Sequence, residues 1–197
     1  MIHSNQEAFM SRQVIIVSSS PRKNGNSVIL AEQAAAGARA AGAKVEIIDL
    51  ANLTLAPCNG CEACQSATSV DCVIDDDLTS LMPRIRRADA LLLAGPVYWF
   101  TFAAQTKMFI DRVFFALHGP EGHALKGRPL GLLMTYGDTD PYTSGAVNAL
   151  RSFQDMCRFI DAPVAGFVYG SGTEAGDIQK QPALLKQAYE LGERLGT

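Results

Sequence analysis

Five short apolar runs, spread along the chain and separated by stretches of helical period, constrain the fold more than any other feature. They are QVIIVSS at 13–19, AKVEIIDL at 43–50, DALLLAG at 89–95, RPLGLLMTYG at 128–137 and PVAGFVYG at 163–170. Each is short and largely uncharged, as strands buried on both faces are. Residues 27–41 are alanine-rich and end at Gly42, the pattern of a helix stopped by glycine. Leu78, Leu81, Met82 and Ile85 share one helical face. So do Ile110, Val113, Phe114 and Leu117, and so do Leu184, Ala188, Leu191 and Leu195, while residues 144–161 supply a further helix. Pro83 inside the second helix should remove a backbone hydrogen bond and bend it. Alternation of strand and helix from start to finish predicts an α/β fold: a doubly wound, five-stranded parallel sheet with right-handed crossovers and helices on both faces.

With 197 residues, 48% of them hydrophobic, the chain suits one sizeable core, which we place at 13–197 behind a loose tail at 1–12. A formal net charge of -3 and no dense Lys/Arg run exclude the electrostatic footprint of nucleic acid or an anionic membrane and favour a small-molecule partner. The opening MIHSNQEAFMSR lacks the basic start and apolar stretch of a secretory signal. ADALLLAGPVYWFTFAA begins with an acid-flanked alanine and is broken by Gly95-Pro96, against a membrane span. A cytoplasmic location is expected, and with it reduced thiols, so the four cysteines of CNGCEACQSATSVDC (58–72) read as metal ligands or redox groups before disulfides.

In a doubly wound sheet the ligand sits beyond the carboxyl ends of the strands, so the loop after the first strand, SSSPRKNGNS, is the place to look. It contains neither G-x-G-x-x-G nor G-x-x-x-x-G-K-[ST]. It does offer hydroxyls, an amide and cations immediately before a helix N-terminus. Ser20, Asn26 and Ser27 with Arg22 can hold a phosphate there without a metal. The alternative is that Asn26 or Ser27 merely caps the helix.

SSSPRKNGNS, followed in order by PCNGCEAC, CVIDDD, GPVYWFTFAAQTKMFIDR and TYGDTDPY, resembles the NADPH-dependent FMN reductase family of flavodoxin-like proteins, including its iron-sulfur flavoprotein branch. The resemblance runs from about Gln13 to near the C-terminus. It implies FMN, with its phosphate on Ser20, Arg22, Asn26 and Ser27 and its ring beside Pro96, Val97, Tyr98 and Trp99 and beside Thr135, Tyr136 and Gly137. FMN is expected over FAD because no second glycine-rich site is present for an adenosine half. NADPH or NADH would donate electrons, and a quinone, free flavin, metal ion or other small acceptor, or a redox protein, would take them. Hydride can pass directly between stacked rings, so no side chain is expected as a catalytic acid or base. A homodimer or homotetramer is expected, and the aromatics Tyr98, Trp99, Phe100 and Phe102 read equally as a subunit contact. An electron carrier reduced by a protein partner, and a non-redox phosphate-binding module with a metal loop, remain the competing functions.

The cysteine spacing is not that of a zinc ribbon, which pairs two separated C-x-x-C knuckles. Overlapping C-x-x-C-x-x-C followed by a fourth Cys is similar to the compact motif of iron-sulfur flavoproteins. That similarity implies a [4Fe-4S] cluster on Cys58, Cys61, Cys64 and Cys72. Related FMN reductases retain cysteines here without a cluster, so a reduced thiol loop beside the flavin stands as the alternative. Cys157, on an apolar helical face, reads as core. His118 and His123 in HGPEGH read as a solvated loop, Asp138 and Asp140 as a strong turn, and Lys107, Asp111 and Arg112 as a solvated or interface ion pair.

Overall fold

A computed structural model describes residues 11–66 and 72–197. Residues 1–10 of the expected tail lie outside the described residues, and the first strand begins at Gln13.

The chain runs through β1 (Gln13–Ser18), α1 (Asn26–Ala40), β2 (Lys44–Asp49), α2 (Asp77–Arg87), β3 (Ala90–Tyr98) and β4 (Thr101–Phe102). It continues through α3 (Ala104–Ala116), β5 (His118–Gly119), β6 (Gly122–His123), β7 (Leu130–Tyr136), α4 (Ala146–Phe159), β8 (Val164–Ser171) and α5 (Pro182–Gly196). The five long strands pair in parallel in the order β2-β1-β3-β7-β8. This is the doubly wound, flavodoxin-like order, in which the direction of winding reverses between β1 and β3 and opens a crevice at their carboxyl ends.

Period-two alternation along each strand divides the apolar residues between two cores. Ile15, Val17, Leu91 and Leu93 face Leu78 and Met82 of α2, Phe109 and Val113 of α3 and Phe153 of α4. Val14, Ile16, Leu92 and Ala94 face Leu30 and Ala34 of α1 and Leu191 and Leu195 of α5. With both faces covered, the strands need no polar side, which is why they read as continuous apolar runs.

Helix α2 runs through Pro83 without interruption. Its start is fixed by a capping box between Asp76 and Thr79, and Leu78, Leu81, Met82 and Ile85 are buried on either side of the proline, so tertiary packing outweighs the lost backbone bond. Two features were not foreseen: the β3–β4 hairpin, pairing Tyr98 with Thr101, and the short β5–β6 ribbon. No helix among the described residues is long and apolar enough to cross a membrane.

Candidate functional site

At the end of β1, Ser19 is pinned by its N–H to the Ala94 carbonyl (2.9 Å) and accepts a bond from the Thr106 hydroxyl (2.6 Å). The Ser20 hydroxyl bonds the Arg22 carbonyl and accepts from the Arg22 N–H, both at 3.2 Å, closing the turn. Helix α1 then starts at Gly25, in extended conformation, with no side-chain cap. A Cβ at Gly25 would fall 2.4 Å from the Ser20 oxygen and 3.0 Å from the Arg22 carbonyl, so a side chain here would push the Ser20 hydroxyl out of this turn. The N–H groups of Val28 (3.0 Å) and Ile29 (3.2 Å) bond the Gly25 carbonyl, so it is the first two N–H groups of α1, those of Asn26 and Ser27, that face the loop for a ligand. Ser27, 1% exposed, carries a buried hydroxyl with no partner among the described residues, and Ser18 does the same at the strand end. Buried orphan hydroxyls beside an uncapped helix start are what a bound phosphate ester satisfies.

Asn26 is neither a cap nor free. Its amide donates to the Gly172 and Glu174 carbonyls (both 2.9 Å) and accepts from the N–H groups of Gly176 (3.0 Å) and Ile178 (3.2 Å). The side chain clasps the loop after β8, and only the Asn26 main chain is left to face an anion. Arg22 leans on the same loop through the Thr173 carbonyl (3.2 Å) while staying exposed.

A second group of expected residues meets at a cleft of about 280 Å³. Val97, Trp99 and Phe100 line it from the β3–β4 turn, Tyr136, Gly137 and Asp138 from the end of β7, and Thr143 and Ser144 from the approach to α4. Pro96 and Thr135 are register partners across β3 and β7 and hold the two strands together below this cleft. Tyr98 sits in the hairpin, 40% exposed. Trp99 (φ 45°) and Phe100 (φ 68°) occupy the two left-handed positions of a tight hairpin turn, a conformation usually given to Asn-Gly. The turn is held from outside. Asn148 donates to the Phe100 carbonyl (3.0 Å), and Gly145 comes so near that a Cβ there would lie 2.5 Å from the Phe100 Cβ. Trp99 is 90% exposed, whereas Phe102, grouped with it in the sequence, is buried in the core. Asp140 is the turn residue expected: Thr143 bonds its carboxylate by hydroxyl and N–H, and Tyr142 by N–H, which hold it below the usual carboxylate range.

The cysteine loop gives a third locus. Cys58, Cys61, Cys64 and Cys72 all border one narrow pocket with Arg112 and Phe115, and none is in a disulfide. Cys58 and Cys61 are exposed and Cys64 and Cys72 half-buried. Among the described residues no three of these thiols are placed to hold a single metal ion, and what suits the pocket to a cluster is the chemistry of its four-thiol lining. Residues 67–71 lie outside the described residues. Arg112 is no solvated pair partner, contrary to the reading from sequence: its side chain is 1% exposed and ion-paired to Asp76, itself 6% exposed. Lys107 and Asp111 do form the exposed pair expected of them. His123 is also corrected, being buried rather than solvated, with Nε2 against the Phe114 carbonyl (3.0 Å) and Nδ1 accepting from the Leu125 N–H (3.1 Å).

The sequence profile of the NADPH-dependent FMN reductase family matches residues 12–174, more than half of the chain. The chain belongs to this family. It is 31% identical over 182 residues to an iron-sulfur flavoprotein of Archaeoglobus fulgidus, covering 89% of this chain and 75% of that protein. It is 35% identical over 167 residues to an iron-sulfur flavoprotein of Methanosarcina thermophila, covering 85% and 82%. Among solved structures, the NAD(P)H:quinone oxidoreductase from Methanothermobacter marburgensis superposes with a TM-score of 0.71 at 22% identity, covering 95% of this chain and 98% of that one, and shares the fold.

As a member of the FMN reductase family the chain is an NAD(P)H-dependent FMN oxidoreductase. When bound, FMN supplies the acceptance and release of hydride and electrons. The residues present fit it: orphan hydroxyls at a helix start with no side-chain cap and a cleft lined by Trp99, Phe100 and Tyr136, both at the carboxyl edge of the sheet. Sequence reasoning missed Thr143 and Ser144 at the cleft, gave Asp138 only to a turn, and missed the 172–178 loop over α1 and the Arg112–Asp76 pair. A signal for the last was present, since Arg112 lies three residues from Phe109 and four from Ala116 on the buried stripe of α3.

Proposed function

We propose that this FMN oxidoreductase passes electrons from NADPH or NADH to a quinone, free flavin, metal ion or other small acceptor, and that the cysteine pocket takes a [4Fe-4S] cluster on Cys58, Cys61, Cys64 and Cys72. The observation that carries the cluster reading is that all four cysteines line one pocket beside a buried guanidinium. Four thiolates are anionic, and a desolvated cation at their base is the environment they require. The naming of two relatives as iron-sulfur flavoproteins supports the same reading. A cluster takes single electrons while the flavin takes hydride, so the pair divides a two-electron transfer into single steps.

We propose Ser20, Arg22, Ser27 and the Asn26 main chain for the FMN phosphate. The ring would lie against Val97, Tyr98, Trp99, Tyr136 and Gly137, with Pro96 and Thr135 fixing the strands beneath it. No side chain acts as acid or base; these residues position the ring and exclude water from it. The exposed Tyr98, Trp99 and Phe100 form a patch that favours self-association into a dimer or tetramer, which sedimentation with and without FMN tests. A reducing cytoplasmic compartment suits the free thiols.

The deciding experiment is iron and sulfide analysis after anaerobic purification and reconstitution, with Cys61→Ser alongside. Iron and sulfide in [4Fe-4S] proportion in the parent and a marked loss in the variant support the cluster. Full FMN with no iron leaves a thiol loop beside an ordinary flavin site and rejects it.

A further inference from the structure

The cysteine-bearing loop leaves the fold after Leu55 and returns at Ile74, and one side chain from another element meets both ends. Arg112, in the middle of α3, donates through Nη1 to the Ala56 carbonyl (3.1 Å) and through Nη2 to the Ile74 carbonyl (3.2 Å). The same Nη2 lies 3.5 Å from the Cys72 sulfur. Asp76 completes the arrangement. It pairs with Arg112 and accepts from the N–H groups of Ala56 (2.8 Å) and Leu78 (3.0 Å), so the N-cap of α2 is also tied to the start of the loop. The Arg112 Nε is buried with no partner among the described residues.

A fully buried ion pair is weak evidence of stability, because desolvating both charges offsets much of their attraction. A core built only for packing would do as well with an apolar pair of similar volume. What the pair provides here, and an apolar pair does not, is a guanidinium against the Cys72 sulfur and a bridge between the two ends of the loop.

We propose that Arg112 is a positioning residue for the cluster: it clamps the two ends of the cysteine loop together and sets the charge that a thiolate-bound iron-sulfur cluster meets at Cys72. The inference rests on the cluster reading above. Asp76 keeps the guanidinium in place and neutralises part of it, so the net field at the sulfur is set by the pair. Helix α3 begins directly after the β3–β4 hairpin and its Thr106 bonds Ser19 in the first loop. One rigid helix therefore carries both the edge of the flavin cleft and the clamp on the cysteine pocket.

The two roles separate in two variants of the whole chain, each reconstituted anaerobically with iron, sulfide and FMN. Arg112→Lys keeps the charge but cannot bridge both carbonyls. It should retain FMN as the parent does, hold a cluster midpoint potential near the parent's, and release iron to a chelator about tenfold faster or more, as loss of an outer partner of a metal site does. Arg112→Gln removes the charge, and its cluster should also shift to a more negative midpoint potential, because a nearby cation stabilises the reduced, more anionic state. FMN content reports folding in each case, and should the Gln variant fail to hold FMN, the Lys variant decides. Iron release at the parent's rate in Arg112→Lys, or an unchanged potential in a folded Arg112→Gln, overturns the proposal while leaving the cluster intact. A parent that binds FMN and no iron overturns the cluster reading itself, and this inference with it.

Discussion

The Ser27 hydroxyl is buried with no partner among the described residues, which a protein of this size tolerates where a ligand completes the site. We expect Ser27→Ala to weaken FMN binding by about 1 kcal/mol, measured by titrating apoprotein with FMN, and to leave the unfolding midpoint of the apoprotein unchanged or slightly higher. Parent-like FMN affinity would remove Ser27 from the phosphate site. His123 makes a second test. Burial lowers its pKa below the ordinary 6.5, with His118 and Arg86 adding to the lowering and the Phe114 carbonyl opposing it. The unfolded chain therefore takes up the proton first. Its contribution to stability is whole above pH 6.5 and is lost as pH falls from there through the lower folded value. Denaturant unfolding across this range should show His123→Gln with a flatter profile than the parent; parallel profiles would show that His123 does not govern it. These two residues and Arg112 mark where sequence stopped being informative. Periodicity placed Arg112 on α3 and Gly/Pro content placed His123 in a loop, but whether a polar group is buried depends on how the chain folds around it, here on Asp76 from another element and on the end of α3 packing its Phe114 carbonyl against the His123 ring. Asn26 was similarly legible as a residue of the helix start and illegible as a clasp, because the carbonyls that it bonds lie 146 and 148 residues away.

Among the elements, the β3–β4 hairpin holds the most local strain. Trp99 and Phe100 both adopt positive φ, at about 1 to 2 kcal/mol each for residues with a side chain. Replacing the pair by Asn-Gly should raise the unfolding free energy of the apoprotein, since that dipeptide prefers this turn, and should weaken FMN retention by removing the aromatic wall. Stability gained with FMN affinity unchanged would show that the aromatics are not there for the flavin. Gly145→Ala should destabilise by about 2 kcal/mol or more, because the new Cβ meets Phe100 at 2.5 Å and the backbone is left-handed. The hairpin was hidden in the sequence because PVYWFTF has no Gly, Asn or Asp at the turn; its sharp reversal is imposed by Asn148 and Gly145 of a distant element. The long elements were legible to within two residues or so at most ends, since each carries several apolar residues in one period and each is buried on that face.

Across the whole molecule, parallel pairing is what assembles the site. Register sets Ser18 beside Asp49 and Ala94, Pro96 beside Thr135 and Tyr136 beside Ser171, so loops far apart in sequence open on one edge. That consequence follows from strand and helix alternation, which is why the loop after β1 could be singled out from the sequence, whereas the loops after β3 and β7 were assigned to the ring through the family resemblance and the loop after β8 that Asn26 holds was not legible at all. Ligand binding to the native state alone should stabilise it, by about 2.7 kcal/mol when FMN stands a hundredfold above its dissociation constant. The central claim is that this scaffold places FMN to be reduced by a nicotinamide, and the direct measurement is anaerobic rapid mixing of the FMN-loaded protein with NADPH and, separately, NADH. We predict that the yellow flavin absorbance bleaches rapidly with at least one of the two and returns when a quinone is added. An FMN-loaded protein that stays yellow with both donors, yet bleaches with a chemical reductant, would contradict the account.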